Sequence, residues 1–348
     1  MNLRALAAAS ATAALIVTGA GAAAAQPGGF GACSGVSDRG HGRYTLTADA
    51  ACDLALLGNG AKVDLAHHTL STSSVVEADR VTLINGNLRS DGIFWSGSHG
   101  RMEDLDVTQI GADPAGSLIE AGPDFTVTRS RFHDLPSSTA VDFYFGNGTV
   151  SHSTFRRTGV GVSVQSSAGV TIRDNMFSAN DIGVQLWNED FVLVNDVTVS
   201  GNTITDSRGP GIRLFDTEGE FPGTFDNVRV TNNHVARSGG SGIDVTVKCL
   251  DASTCPATGV SIVVERNVLD HNGYSPGEGN DGLTARASTF EDVSMVAPLA
   301  ILRAAKNVTT RNADRGIDAA GVTDGGGNLS RSDRNPVPCL GVTCRVSR

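Results

Sequence analysis

One phrase recurs through the middle of this chain: an apolar strand that breaks at Asn or Ser and is followed by Gly-Ile or Gly-Val. Val170-Thr171-Ile172-Arg173-Asp174-Asn175 is echoed by Val197-Thr198-Val199-Ser200-Gly201-Asn202, by Val228-Arg229-Val230-Thr231-Asn232-Asn233 and by Ile262-Val263-Val264-Glu265-Arg266-Asn267. Upstream, the runs Phe125 to Ser130 and Gly148 to Ser153 keep the template with Ser in the last place. Between these runs lies a second strand, at Ala140-Val141, Gly161-Val162, Gly183-Val184, Gly211-Ile212, Gly242-Ile243, Gly282-Leu283 and Gly316-Ile317. A repeat of about 20–50 residues made only of short strands is the signature of a solenoid, in which each coil buries its apolar side against its neighbours.

A short third strand fits just after the Asn, at Met176-Phe177, Thr203-Ile204, His234-Val235 and Val268-Leu269. Three short strands per coil, with inward apolar positions and a tight bend after the second, predict an all-β fold, a right-handed parallel β-helix. Equivalent residues of successive coils then stack about 4.8 Å apart. The column Asn175, Asn202, Asn233, Asn267 is read as structural: Asn tolerates a left-handed bend, and stacked amides bond coil to coil. The repeat lengthens after the Gly-Ile strand, through 189–196, 216–227, 248–260 and 274–293. Loops lengthened on one side of a solenoid mark its functional side.

The ends carry their own signals. Arg4 is the only charge in residues 1–25, Ala5 to Val17 is apolar, and Ala23-Ala24-Ala25 before Gln26 has the form of a signal-peptidase site. Export to an extracellular compartment is therefore expected, with no membrane span and a monomeric mature chain. Residues 26–80 are expected to form an N-terminal cap and the first coils, 81–320 the β-helix, and 321–348 a C-terminal cap. The six cysteines fit an oxidising compartment and fall into local pairs, Cys33 with Cys52, Cys249 with Cys255 and Cys339 with Cys344. Six thiols allow 15 connectivities, so this pairing rests on proximity. They lack the CxxC or clustered His of a zinc site. A net charge of −10 argues against nucleic acid as a partner.

Tyr44-Thr45-Leu46 through Cys52, with Lys62-Val63-Asp64-Leu65-Ala66-His67-His68-Thr69-Leu70, resembles the opening segment of the secreted bacterial right-handed β-helix repeat proteins of pectate-lyase-like fold. Asp324-Gly325-Gly326-Gly327-Asn328 and Cys339 to Cys344 resemble that family's closing segment. The family usually carries Asn-Gly where this chain has Ala66-His67. The resemblance implies the fold and leaves the activity open, because the family mixes lyases, hydrolases, epimerases and binding modules. Gly-His-Gly, Arg-Ile-Lys and Asp-Pro-His-Glu, which mark enzymatic branches, are absent; Asp113-Pro114 is followed by Ala-Gly.

With Val141, Val162, Val184, Ile212 and Ile243 inside, alternation turns Asp142, Ser163, Gln185, Arg213 and Asp244 outward. Two positions on come Tyr144, Gln165, Trp187, Phe215 and Thr246. Aromatic faces beside hydrogen-bonding groups suit a glycan, so Asp142, Tyr144, Gln185, Trp187 and Phe215 are candidate substrate-binding residues. Loops roofing the aromatics, or a protein partner on them, are the competing readings. A lyase would use Arg213 as base or clamp with Asp244 and Asp216 as orienters. A hydrolase would use Asp216 and Asp244 as the carboxylate pair. Both require Asp142, Arg213, Asp216 and Asp244 to converge in one open groove. Asp216, Glu218 and Glu220, or Glu278, Asn280 and Asp281, offer hard oxygen ligands for Ca²⁺. The expected function is a carbohydrate-active or carbohydrate-binding protein, polysaccharide lyase or glycoside hydrolase if catalytic. The alternative is a non-catalytic surface module that binds a protein partner.

Overall fold

The computed structural model describes residues 29–111, 116–188, 194–216, 225–249, 261–274, 280–289 and 301–347. The leader, the Cys249–Cys255 pairing, Glu218, Glu220 and Glu278 fall outside them. The described chain winds as a parallel β-helix with three strand faces per coil, in the right-handed sense that parallel crossovers impose. The Val-rich face stacks Phe125–Thr128, Gly148–Ser151, Val170–Arg173, Thr198–Ser200, Val228–Thr231, Ile262–Glu265 and Leu302–Ala305. The face after the Asn stacks Met176–Ser178, Thr203–Thr205, His234–Ala236, Val268–Asp270 and Val308–Thr310. The Gly-Ile face stacks the end of Arg131–Tyr144, then the end of Thr154–Gln165, Ile182–Asn188, Ile212–Asp216, Ile243–Cys249 and Leu283–Thr289.

The core consists of ladders of like side chains. Phe132, Phe155 and Phe177 stack ring on ring, centroids 5.0 and 4.9 Å apart, and Ile204, Val235 and Leu269 continue the column. Every member is fully buried, so a one-residue slip in any coil would turn its apolar set to water.

The corner asparagines fix that register. Their side chains point inward. The left-handed residue is the one before each, namely Asp174 (φ 56°), Asn232 (φ 55°), Arg266 (φ 57°) and Lys306 (φ 54°), with Gly201 in the same place. The column Asn is thus a buried connector and the bend belongs to its neighbour, which corrects the expectation that the Asn itself takes the left-handed conformation. The backbone N–H of Asn175 donates to Asn202 Oδ1, that of Asn202 to Asn233 Oδ1, and that of Asn233 to Asn267 Oδ1, each at 3.0 Å. Each Nδ2 also donates to a carbonyl of the preceding coil, as Asn233 does to Val199 O at 2.9 Å. Ser130 and Ser153 extend the column upstream, and Asn307 and Asn328 extend it downstream. A second inward column repeats the device at the next corner: Thr158 N–H donates to Asn180 Oδ1, Asn272 N–H to Asn312 Oδ1, and Asn312 N–H to Asp333 Oδ1. Backbone donors at a bend cannot join a strand ladder, and these side chains satisfy them without water.

The Gly of the Gly-Ile strand has a steric cause. A Cβ on Gly183 would lie 2.7 Å from the carbonyl oxygen of Gly211, and one on Gly211 would lie 2.9 Å from that of Gly242. Successive coils approach too closely there for any side chain.

At the N-terminal end Val36–Asp38 pairs antiparallel with Arg43–Leu46, and Phe30, fully buried, closes the core with its ring 5.3 Å from that of Tyr44. The Cys33–Cys52 and Cys339–Cys344 disulfides form as paired from the sequence. Ala66 (φ 46°) and His67 (φ 67°) both adopt the left-handed turn that Asn-Gly favours, with Ala66 N–H donating to Asp64 Oδ1 at 2.9 Å.

Replacing Asn233 by Ala removes the acceptor for Asn202 N–H and the donor to Val199 O in a dry interior, and should cost about 2–4 kcal/mol. Asn233→Ser, using the residue type found at Ser130 and Ser153, should lose less. Chemical denaturation of the three proteins tests this, and an Ala variant as stable as wild type would remove the ladder from the account of the fold.

Candidate functional site

The Gly-Ile face carries two outward columns, and strand register assigns them residue by residue. The first runs Val75, Phe94, Glu120, Asp142, Ser163, Gln185, Arg213, Asp244, Thr284, Asp318, Leu340. The second runs Tyr144, Gln165, Trp187, Phe215, Thr246, Arg286. Both follow the alternation expected from the sequence. The first also extends beyond it, upstream through Phe94 and Glu120 and downstream through Thr284 and Asp318. Thr284 and Asp318 were legible, because each follows a Gly-Leu or Gly-Ile pair of the repeat. Glu120 follows Leu118-Ile119, which lacks the small residue of the phrase and hides the strand.

The middle of the face holds unsatisfied donors. Arg213 lies over the Phe215 ring, its guanidinium carbon 4.5 Å from the centroid, and is 28% exposed. Its Nε is buried without a hydrogen-bond partner, 3.9 Å from Asp244 Oδ2. Trp187 Nε1, one coil before Phe215, is likewise buried without a partner. Gln185 stands beside Arg213 in register and is half-buried.

Past Arg213 the column sinks into the protein at Asp244 and Thr284 and surfaces again at Leu340. Asp244 is 5% exposed and receives the Thr246 hydroxyl at 3.2 Å. Asp281, also 5% exposed, accepts the Arg315 backbone N–H at 2.9 Å and the Thr284 hydroxyl at 2.9 Å. Thr284 in turn lies 2.6 Å from the Ser241 hydroxyl. Burial, with Asp318 and Asp314 nearby, pushes the Asp281 carboxyl up to about 6, against those two hydrogen bonds. With both oxygens engaged by the protein, Asp281 is a structural clamp between coils; Glu278, named with it as a Ca²⁺ ligand, lies outside the described residues. Among the described residues no group of three or more His, Cys, Asp or Glu is arranged to hold a metal ion.

Toward the N-terminal end two carboxylates are neighbours in the column. Asp142 Oδ2 accepts the Ser117 hydroxyl at 2.9 Å, while Oδ1 is buried without a hydrogen-bond partner. Burial pushes the Asp142 carboxyl up, opposed by the Ser117 and Ser163 hydroxyls. Burial also pushes up Glu120, helped by the charge of Asp142. Phe94, next in the column, is 45% exposed. Phe145 extends the aromatic surface with its ring 4.3 Å from that of Tyr144.

The four residues required to converge do not. Arg213 and Asp244 are adjacent, but Asp142 lies three coils from Arg213 in the register. Asp216 pairs through its backbone with Asn188, and its side chain is outside the described residues. Elsewhere, a polar cleft lined by His67, Asn87, Asp104, Asp106 and Arg129 has its charges spent internally: Arg129 donates to both oxygens of Asp104, and His133 bridges Asp106 and Asp134.

The sequence pattern described as the right handed beta helix region matches residues 69–246. The chain belongs to the right-handed β-helix family. Among solved structures it is similar to the A-module of the mannuronan C-5 epimerase AlgE6 of Azotobacter vinelandii. That match has a TM-score of 0.61 at 12% identity, covering 88% of this chain and 89% of that one. It is also similar to the catalytic unit of a GH87 α-1,3-glucanase of Streptomyces thermodiastaticus, with a TM-score of 0.52 at 14% identity over 84% of this chain and 62% of that one. At such identities the likeness speaks for the β-helix fold alone. No curated protein matches the chain in sequence.

The Asp281 clamp gives this β-helix a pH signature. A carboxyl whose folded pKa is raised stabilises the fold below its unfolded value, near 3.8, and loses that contribution as pH rises through about 6. A tenfold change in a group's proton affinity is worth ~1.4 kcal/mol. The stability of wild type relative to Asp281→Asn should therefore fall by about 2–3 kcal/mol as the pH is raised from roughly 3.5 to roughly 7.5. Urea midpoints of the two proteins across that range test it. A constant difference would mean that Asp281 titrates normally.

Proposed function

We propose that this is an exported carbohydrate-active protein whose Gly-Ile face binds an extended polysaccharide, one sugar ring to roughly one coil. The observation that carries the reading is the pair of buried donors without partners, Trp187 Nε1 and Arg213 Nε, on adjacent coils of one face. Buried donors are rarely left unpaired, because each forfeits its hydrogen bond to water. A ligand rich in hydroxyl or carboxylate oxygens supplies the acceptors. Beside those donors, Trp187 and Phe215 offer ring surface, and Gln185 offers a carboxamide.

Three further features support the reading. Coil stacking repeats the same pair of outward columns at a spacing close to the length of one sugar, so a linear glycan meets a matching periodic surface. The two disulfides suit an extracellular compartment. The fold is also that of an epimerase module and a glucanase whose names place both on polysaccharides. Arg213, stacked on Phe215 and set 3.9 Å from Asp244, is arranged to hold a sugar substituent.

The wild-type protein, Trp187→Ala and Arg213→Ala should be compared by calorimetry and affinity electrophoresis on neutral and uronate polysaccharides. Each substitution should weaken binding about tenfold or more, the effect of ~1.4 kcal/mol, with the denaturation midpoint little changed. Variants that bind as tightly as wild type would take Trp187 and Arg213 out of the site. A wild type that binds none of the polymers would overturn the glycan reading.

A further inference from the structure

The N-terminal cap carries charge of the opposite sign to the chain as a whole. Between the turn that joins Val36–Asp38 to Arg43–Leu46 and the coils after it opens a depression of about 560 Å³, lined by Arg39, His41, Arg43, Lys62 and Thr82. Strand register sets Arg43 directly beside Lys62, and Lys62 beside Thr82, on coils about 4.8 Å apart. Arg39 N–H donates to Arg43 O and Lys62 N–H to Gly42 O, each at 2.8 Å, so the turn is held against the coil. A Cβ on Gly40 or Gly60 at the rim would meet nothing, which leaves the opening clear. Arg39, His41, Arg43 and Lys62 are all exposed, and among the described residues none of them is in an ion pair. The carboxylates at this end are turned elsewhere: Asp38 accepts the Gly40 N–H at 2.7 Å and Asp64 the Ala66 N–H at 2.9 Å.

We propose that this depression is an oxyanion site that takes a phosphate group, free or carried on a sugar. Like charges directly opposite on a ladder repel, so Arg43 beside Lys62 destabilises the empty protein. The rest of the chain, with a net charge of −10, does not leave its cations this way. Arg101, next after Thr82 in the same column, pairs with Glu103, and Arg129 and Arg157 pair with Asp104 and Asp134. A bound anion removes the repulsion and gains three cations at once. A carboxylate brings one charge and two oxygens, enough for one of them. A phosphate monoester brings a charge of roughly −1.5 to −2 near neutral pH and three acceptor oxygens, which matches the set. The Arg39 and Arg43 guanidinium groups offer paired N–H donors, Lys62 a point charge, and Thr82 a hydroxyl. Arg43 and Lys62 stand in the outward column that continues through Arg101 and Thr126 on the Val-rich face, so the site is separate from the Gly-Ile columns.

The test titrates wild type, Arg43→Gln, Lys62→Gln and Arg101→Gln by calorimetry at low ionic strength and pH about 7.5, where phosphate is mostly dianionic. The probes are inorganic phosphate, glucose 6-phosphate, glucuronate and acetate. Wild type should bind at least one of the two phosphates saturably with a Kd below about 1 mM, and the two carboxylates at least about tenfold more weakly. Arg43→Gln and Lys62→Gln should each weaken phosphate binding about tenfold or more. Arg101→Gln, which removes a cation already paired, should stay within about twofold of wild type. Tighter binding of glucose 6-phosphate assigns the site to a phosphorylated glycan, and tighter binding of inorganic phosphate assigns it to the free ion; both support it. Urea midpoints give a second readout. Without phosphate, Arg43→Gln and Lys62→Gln should be at least as stable as wild type, because the repulsion is gone, and added phosphate should raise the wild-type midpoint more than theirs. A wild type that binds neither phosphate, carboxylates that bind as tightly, or variants that keep their affinity would each overturn the site and leave the Gly-Ile reading untouched.

Discussion

The structure depends on a hydrogen bond that runs from one coil to the next at the corners: a backbone N–H donating to the side-chain oxygen of the equivalent residue one turn on. A parallel coil gives its bends no strand partner, so these donors would otherwise be buried and unpaired. Asn satisfies them and uses its Nδ2 to reach back to the previous coil, as Asn202 does to Ile172 O and Asn267 to Val230 O. Each Asn therefore joins three coils. Because the connector is a fixed short side chain, it sets the rise between coils and the phase of every strand that leaves the corner.

Phase is what the outer face needs. A column such as Glu120, Asp142, Ser163, Gln185, Arg213, Asp244 exists only because each strand leaves its corner at the same residue. The column is chemically graded: exposed apolar residues and two carboxylates upstream, amide and cationic donors in the middle, then the buried Asp244 and Thr284 before Asp318 and the exposed Leu340. The exposed corners add their own ion pairs, as where Arg237 donates to both oxygens of Asp206 and holds that carboxyl below its usual range. Exposed pairs of this kind contribute little each. The interior amides carry the register.

Much of the fold was legible, for a physical reason. Stacked coils require the same residue type at the same place, so Asn175, Asn202, Asn233 and Asn267 repeat visibly, as do the glycines that leave no room for a Cβ. The second connector column was less visible because it mixes types: Thr158, Asn180, Ser207, Ser238, Asn272, Asn312 and Asp333 occupy equivalent corners but share only a short polar side chain. The site was half legible. Alternation alone placed Arg213, Trp187 and Phe215 on one face. Burial could not be read from it, and burial separates Asp244 and Asp281, 5% exposed, from the half-buried Gln185. Glu120 escaped because its strand departs from the repeat phrase.

The glycine column has a further consequence. Since the coils from Gly183 to Gly282 meet their neighbours through the same carbonyl-against-glycine contact and the same amide connector, these coils are interchangeable modules. Duplicating or deleting one would lengthen or shorten the Gly-Ile face by a single rung without disturbing the rest. The coil count acts as a molecular ruler, so the length of the Gly-Ile face is a whole number of coils that genetic duplication can change one step at a time.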